Sequence, residues 1–253
     1  MNWRGLYTLY TKEVWRFWKV VVQTVFTPVV TALLYLLVFA QVLEEHVQVY
    51  PGVSYSAFLI PGLIMMSVIQ NAFSNSSSSL IQSKMSGNIV FLLLSPITPL
   101  EFYLAFTAAA VTRGLLVGAG VWAVSLWFVD LPHAAPLWAL VFAALGSAVL
   151  GVLGIIAGIW AEKYEHLAAF QNFIILPLSF LSGVFYSIHS LPPGWSEISA
   201  FNPFFYMIDG FRHGFLGTSD VSPWLSLAVA GGAFAAVSAL CLYLLATGYK
   251  LRH

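Results

Sequence analysis

The chain has 253 residues, 60% of them hydrophobic and only 8% charged, with a mean hydropathy of +0.86. That is more apolar surface than a soluble core needs, so a soluble enzyme or nucleic-acid-binding domain is not expected. Ten Lys/Arg balance ten Asp/Glu, but the zero net charge says nothing about partners, because the charges are sorted by position along the chain.

Residues 1–20 come first and do not read as a cleaved signal peptide, which would pass directly into a brief apolar stretch and a small-residue cleavage site. Trp3, Tyr7, Tyr10, Val14 and Phe17 recur every three or four residues, and Arg4, Thr8, Lys12, Arg16 and Lys19 fill the opposite face. The pattern predicts an amphipathic helix in the headgroup region, with its cations toward anionic lipid. Two roles stay open for it: a membrane anchor, or a mechanical element that moves with the first span.

Six apolar runs follow, at roughly 21–43, 57–76, 101–128, 134–160, 167–186 and 223–246. Most reach about 20 residues, enough at about 1.5 Å per residue to cross a hydrocarbon core of about 30 Å. Arg4, Lys12, Arg16 and Lys19 precede the first run, Lys84 separates the second and third, Lys163 separates the fourth and fifth, and Lys250 and Arg252 follow the sixth. By the positive-inside rule these segments are cytoplasmic, which places both termini inside. Glu44, Glu45, Asp130, Glu197, Asp209 and Asp220 then belong to the outer face. Trp and Tyr residues collect near the run ends, as interfacial belts do.

Between the second and third runs, residues 82–99 are too rich for a simple turn. Val90, Leu93 and Leu94 make one apolar face of a short helix, which Ser95-Pro96 and Thr98-Pro99 are expected to stop. An apolar face shown to the cytosol needs a cover, either a partner or the bilayer itself. Arg113 lies inside the third run. It is expected to face the bundle interior or a cavity, with snorkelling to the cytoplasmic headgroups as the alternative. Ala135, Ala139, Ala143, Ser147 and Gly151 recur every fourth residue through the fourth run, continued by Gly154 and Gly158, and Gly114 and Gly118 match them in the third. Such ladders of small residues predict close helix packing in lipid.

Residues 187–222 form a long, weakly charged external connection. Asn202-Pro203 reads as an N-cap followed by proline at the first helical position. Phe204, Phe205, Ile208, Phe211 and Phe215 supply an apolar face, Asp209 and Arg212 are expected to pair at three-residue spacing, and Gly217 is the expected stop. The segment is too short to span and is read as helices that dip partway into the outer leaflet or the bundle.

The chain contains no Gly-Lys dipeptide, hence no phosphate-cradling Gly-x4-Gly-Lys-Ser/Thr loop. His46, His133, His166, His189, His213 and His253 match no metal-ligand spacing, and Cys241 is a lone cysteine read as a packing residue. No acid stands near a span centre, where an ion-coupled carrier usually needs one. Any driving energy must therefore come from outside the chain.

Four stretches carry a family resemblance: Phe58-Leu-Ile-Pro-Gly-Leu-Ile-Met-Met-Ser-Val-Ile69, Asn88-Ile-Val-Phe-Leu-Leu-Leu-Ser-Pro-Ile-Thr98, Leu176-Pro-Leu-Ser-Phe-Leu-Ser-Gly-Val-Phe-Tyr186 and Asn202-Pro-Phe-Phe-Tyr-Met-Ile-Asp-Gly-Phe-Arg-His-Gly-Phe-Leu-Gly217. In this order and spacing, over essentially the whole chain, they resemble the permease subunits of ABC-2 type (type V) exporters, within the bacterial inner-membrane polysaccharide- and drug-efflux branch. The first external loop, 44–56, departs from relatives that carry a large external domain there.

The resemblance implies one all-α membrane domain over 1–253: six transmembrane helices, an amphipathic interfacial helix at 1–20, a cytoplasmic coupling helix in 82–99 and short re-entrant helices in 187–222. It implies contact with a separate ATPase through Lys84, Asn88, Val90, Leu93, Leu94, Ser95, Pro96, Thr98 and Pro99. Arg113 is the expected intramembrane charge, and Asn202, Pro203, Asp209 and Arg212 mark the external helix. A homodimer working with two ATPase copies in the inner membrane is expected, exporting an amphipathic or lipid-linked substrate. ATP and Mg would belong to the ATPase; no cofactor is expected in this chain, and no nucleic acid as partner. An ion-coupled secondary carrier and a non-transporting membrane scaffold are the competing classes.

Overall fold

The structure, a computed structural model, describes residues 2–44 and 49–250; Glu45, His46, Arg252 and His253 lie outside the described residues. All regular structure among the described residues is helical. The order is α1 (Trp3–Trp18), α2 (Val21–Leu43), α3 (Tyr55–Met85), α4 (Ile89–Leu94), α5 (Pro99–Ser125), α6 (Pro136–Trp160), α7 (Tyr164–Phe170), α8 (Leu176–Phe180), α9 (Trp195–Phe201), α10 (Pro203–Leu216) and α11 (Pro223–Thr247). Among the described residues five helices are long and apolar enough to cross a membrane: α2, α3, α5, α6 and α11.

The fifth predicted run is built differently from the other five. It is helical from Tyr164 to Phe180, with a π-turn at Gln171–Ile175 joining α7 to α8, and the chain then turns after Leu181. At roughly 25 Å this helical stretch is shorter than the long helices around it. Helix length alone therefore supports five spans, and the sixth rests on a broken element.

The core lies where α3 meets α6, α5 and α10, with α11 against α6 and α10, and α2 against α3 and α5. The small-residue ladder explains why α6 sits at the centre. A Cβ on Gly151 would come within 2.6 Å of Ala110 on α5, and one on Gly158 within 2.7 Å of Leu80 on α3. At Gly154 the Phe73 carbonyl occupies the space a side chain would need. In lipid, where burial of apolar surface no longer drives association, this close approach provides the van der Waals contact that does. Ala135 stands outside the ladder, at the N-cap position of α6.

The N-terminal helix forms as predicted, but its buried face is shifted. Leu9, Glu13 and Phe17 are buried against the bundle, while Trp3, Tyr7, Trp15 and Trp18 are exposed. Glu13 decides this register. Its carboxylate takes Lys12 Nζ and Arg16 Nε, each at 3.1 Å, so a buried acid is paired and costs less than an isolated one. α1 lies along α5, and Tyr10 and Thr112 hydroxyls meet at 3.0 Å.

Candidate functional site

The 82–99 segment divides at three points. Helix α3 runs on through Met85, so Lys84 belongs to it; Lys84 Nζ donates to the carbonyls of Ile159 and Ala161, the latter at 3.0 Å. Lys84, one of the residues expected to contact the ATPase, has its cation on the C-terminal end of α6, where the unpaired carbonyls favour positive charge. Gly87, at φ +71°, makes the turn that a side chain would oppose, and Asn88 opens α4 without a side-chain cap. Ser95 at extended φ/ψ and Pro96 end the helix. Thr98-Pro99 does not stop α4 but starts α5. Thr98 Oγ1 accepts from Glu101 N at 3.3 Å, the Glu101 carboxylate accepts from Thr98 N at 2.8 Å, and Pro99 takes the first helical position, where it needs no N–H. Glu101 also accepts from Asn2 N, tying α1 to the same corner.

Within α4 only Ile89 is buried, packed with Leu9 and Phe102. Val90, Phe91, Leu93 and Leu94 are exposed, Leu94 at 78% and Phe91 at 74%. Phe91 thus joins the predicted apolar face. A cavity of about 920 Å³ opens beside it, between α1, the end of α3 and α4, with Arg4, Lys12 and Gln82 on its walls.

A second feature lies in the membrane. Between α2 and α3 runs a groove of about 490 Å³, lined on α3 by Ser67, Gln70, Asn71, Ser74 and Ser78. These residues fall at spacings of three and four, so they form one stripe of the helix. A polar stripe on a spanning helix faces protein or a hydrated path, since in acyl chains its groups would go unpaired. This stripe is not picked out in the sequence analysis above. The stripe's spacing was the signal available. Arg113 reaches the same groove and donates from Nη2 to Asn71 Oδ1 at 3.2 Å. Arg16 closes the α1 end, donating to the Asn75 carbonyl at 2.6 Å and to Asn75 Oδ1 at 2.9 Å.

The α9–α10 end, expected above to be external, is a hydrogen-bonded clasp. Asn202 joins α9 to α10: its Oδ1 accepts from Phe204 N at 3.0 Å and its Nδ2 donates to the Leu178 carbonyl at 2.7 Å, while Pro203 holds the first helical position. Gly217, left-handed at φ +71°, ends α10. The expected Asp209–Arg212 ion pair is absent. Both residues are fully buried, and each serves a different stretch of backbone. Asp209 accepts from Asp220 N at 2.8 Å and Val221 N at 3.2 Å. Arg212 donates to the carbonyls of Gly183 at 2.7 Å and Phe58 at 3.3 Å, with its guanidinium 3.8 Å from the Phe58 ring centroid. The three-residue pairing rule holds for helix surfaces, whereas in this interior unpaired backbone groups compete more strongly for the charges. Asp220, outside the predicted set, is the hub of the clasp. It accepts from the Tyr50 and Ser187 hydroxyls, each at 2.7 Å, and from Ile188 N at 2.8 Å. Burial pushes the Tyr50 phenol up, and the Asp220 carboxylate beside it adds to the shift, so Tyr50 stays a donor.

The predicted site residues therefore fall into three separate groups: the α4 corner, the α2–α3 groove and the α9–α10 clasp. Among the described residues no three His, Cys, Asp or Glu side chains gather as a metal site.

Comparison with known proteins gives a single consistent match. Residues 4–216 match the ABC-2 type transporter family. The chain is 38% identical to the inner membrane transport permease YadH of Escherichia coli K12 over 256 aligned residues, covering 100% of this chain and 98% of that protein. It is 28% identical to nodulation protein J of Rhizobium leguminosarum bv. viciae over 76% of this chain and 71% of that protein, and 26% identical to nodulation protein J of Rhizobium meliloti over 76% and 70%.

Proposed function

This chain belongs to the ABC-2 type transporter family and is a multi-pass inner-membrane permease, and on that premise we propose that it forms the membrane pathway of an exporter powered by a separate ABC ATPase. In this reading two permease copies work with two ATPase copies, both termini are cytoplasmic, the α7–α8 element completes six spans, and ATP with Mg binds only in the ATPase. The substrate is an amphipathic or lipid-linked molecule moved outward along the α2–α3 groove.

The observation that carries the proposal is α4. Val90, Phe91, Leu93 and Leu94 give it an exposed apolar face, and it is mounted rigidly, with Ile89 buried beneath it and the Thr98–Glu101 capping box starting α5 directly behind it. An apolar patch of this kind needs a cover, and in this reading the cover is the ATPase. Movement of such a partner would be passed through α4 into α3 and α5, which flank the groove together with α2. An ion-coupled carrier is the competing reading, and it needs a titratable acid free to exchange its ion. The buried acids Glu13, Glu101 and Asp209 are each engaged by cations or backbone N–H groups, which favours the ATP-driven reading.

Co-expression with an ABC ATPase of the same genome, followed by transport into inside-out vesicles, is the test. ATP-dependent, vanadate-sensitive and protonophore-insensitive accumulation is expected. Transport that persists without nucleotide and collapses with protonophore would overturn the proposal.

A further inference from the structure

A further cavity, of about 410 Å³, lies on a different face of α3 from the groove: it takes Ile64 and Val68, where the groove takes Ser67, Gln70 and Asn71. It opens between α5 and α6, where Ala119 and Leu140 are exposed at its edge, and its inner wall is formed by the buried rings of Phe211 and Phe215 on α10. The small-residue ladder changes its use here. Gly151, Gly154 and Gly158 draw neighbouring helices into contact, whereas Ala139 and Ala143, facing Gly118 and Ala119 across the gap, border an open space.

Both helices flanking the opening are long and apolar enough to span, so the cavity gives onto hydrocarbon. It follows the last part of α5 and the first part of α6 for roughly 10 Å, from Leu115 to Trp122 and from Pro136 to Ala143. Water has little to hold it there, since a buried water takes about two to four polar partners. The side chains of Trp122 and His133 carry the only polar side-chain atoms of the lining, and Trp122 Nε1 already donates to His133 Nε2 at 3.3 Å. Left empty, the walls would forfeit dispersion contacts. The apolar group at hand in hydrocarbon is an acyl chain.

The polar pair stands at the end of the cavity where the two spans end, which is where a lipid carries its headgroup. The His133 ring is held between Trp122 and Phe215, with centroids 5.8 and 5.6 Å away. Because Nε2 accepts from the indole, the ring hydrogen belongs on Nδ1, which has no partner among the described residues. A phosphate diester is a strong acceptor for such a donor.

We propose that this cavity is a lipid-binding site, in which one acyl chain of a phospholipid from the adjoining leaflet enters between α5 and α6 and lies against Phe211 and Phe215, its phosphate accepting from His133. The chain fills the space that α10 leaves beside α5 and so braces α10 from the lipid side. The site needs α5 and α6 to span the membrane and nothing more, so it stands apart from the transport reading.

The test uses the full-length permease in nanodiscs of phosphatidylglycerol carrying a diazirine midway along one acyl chain. After photolysis, adducts are mapped by peptide mass spectrometry. Adducts on Phe211 or Phe215 are expected, although both are buried from lipid that merely surrounds the protein, together with adducts on exposed Leu240 of α11. Ala119→Trp, which fills the opening, should remove the first set and leave Leu240 labelled. A diazirine next to the ester should move the adducts to Trp122 or Pro136, and this depth series decides in the wild type should Ala119→Trp fail to assemble. Labelling of Leu240 alone would overturn the site, its occupant then being another helix or a second copy of the chain. Unchanged Phe211 labelling in a folded Ala119→Trp variant would overturn it too. For the headgroup, His133→Ala should lower phospholipid labelling about tenfold, to the level of a diacylglycerol probe. Equal labelling of the wild type by both probes would overturn the phosphate contact.

Discussion

The two ends of this molecule are held in opposite ways. At the α10 end, four separate stretches of chain around Tyr50, Phe58, residues 183–188 and residues 220–221 converge on three charged residues, Asp209, Arg212 and Asp220, each spent on backbone or hydroxyl groups. At the α4 end the ties are the Glu13–Arg16–Asn75 chain, the Glu101 corner, Lys84 on the end of α6 and the Lys250–Glu162 pair, and α4 stands with its apolar side uncovered. Buried charges that satisfy backbone groups fix loops that have no ladder of their own. Exposed apolar side chains on a braced mount mark where a second molecule belongs. The α10 end is finished within the chain; the α4 face is not.

Arg212→Leu should break the finished end most severely. The carbonyls of Gly183 and Phe58 would lose their donor inside the bundle, each at about 1–3 kcal/mol. Thermal unfolding in detergent should show the loss, with Arg212→Lys recovering only part because an ammonium lacks the planar fork that reaches several carbonyls together. Wild-type stability in Arg212→Leu would mean the clasp is not what holds that end. Asp220→Ala comes next, at about 3 kcal/mol, the scale of a hydrogen bond to a charged group. Protease sensitivity should then appear first at residues 217–222.

At the α4 end, Arg16→Met should cost about 1–2 kcal/mol and act locally. Hydrogen exchange should quicken in α1 while α6 stays protected. The smallest effect is expected for Val90→Asp with Leu94→Asp in the isolated permease, within about 0.5 kcal/mol, because both side chains are already exposed. A large destabilisation there would show that α4 is buried against the protein or the membrane after all.

Sequence reading reached the finished end and the open end unequally. Asn202-Pro203 and Gly217 were legible because a cap, an N1 proline and a left-handed glycine are local devices whose chemistry is written in adjacent residues. The small-residue ladder of α6 was legible for a similar reason: close packing in lipid leaves a four-residue period whatever the partner is. The Arg212 contacts were not, since their acceptors lie 154 and 29 residues away in sequence and are main-chain carbonyls, which carry no side-chain signature. Thr98-Pro99 was misread because proline both ends a helix before it and begins one at it; Glu101, three residues past Thr98, was the discriminating signal. The groove was partly legible. Arg113 stood out alone, while the Ser67–Ser78 stripe that gives it context was hidden by the apolar residues between its members.

In the function proposed above, the uncovered α4 face receives force from a separate ATPase. The most direct measurement is permease-stimulated ATP hydrolysis by the reconstituted complex, comparing wild type with Val90→Asp/Leu94→Asp. Each aspartate would bury an unpaired charge at the contact, a cost of several kcal/mol if fully desolvated, about a hundredfold or more in affinity. Stimulated hydrolysis and ATPase co-purification should both be lost, while the variant permease keeps wild-type expression and unfolding temperature. Wild-type stimulation and co-purification in the double variant would contradict the account, because α4 would then rest on the membrane and force would have to enter elsewhere.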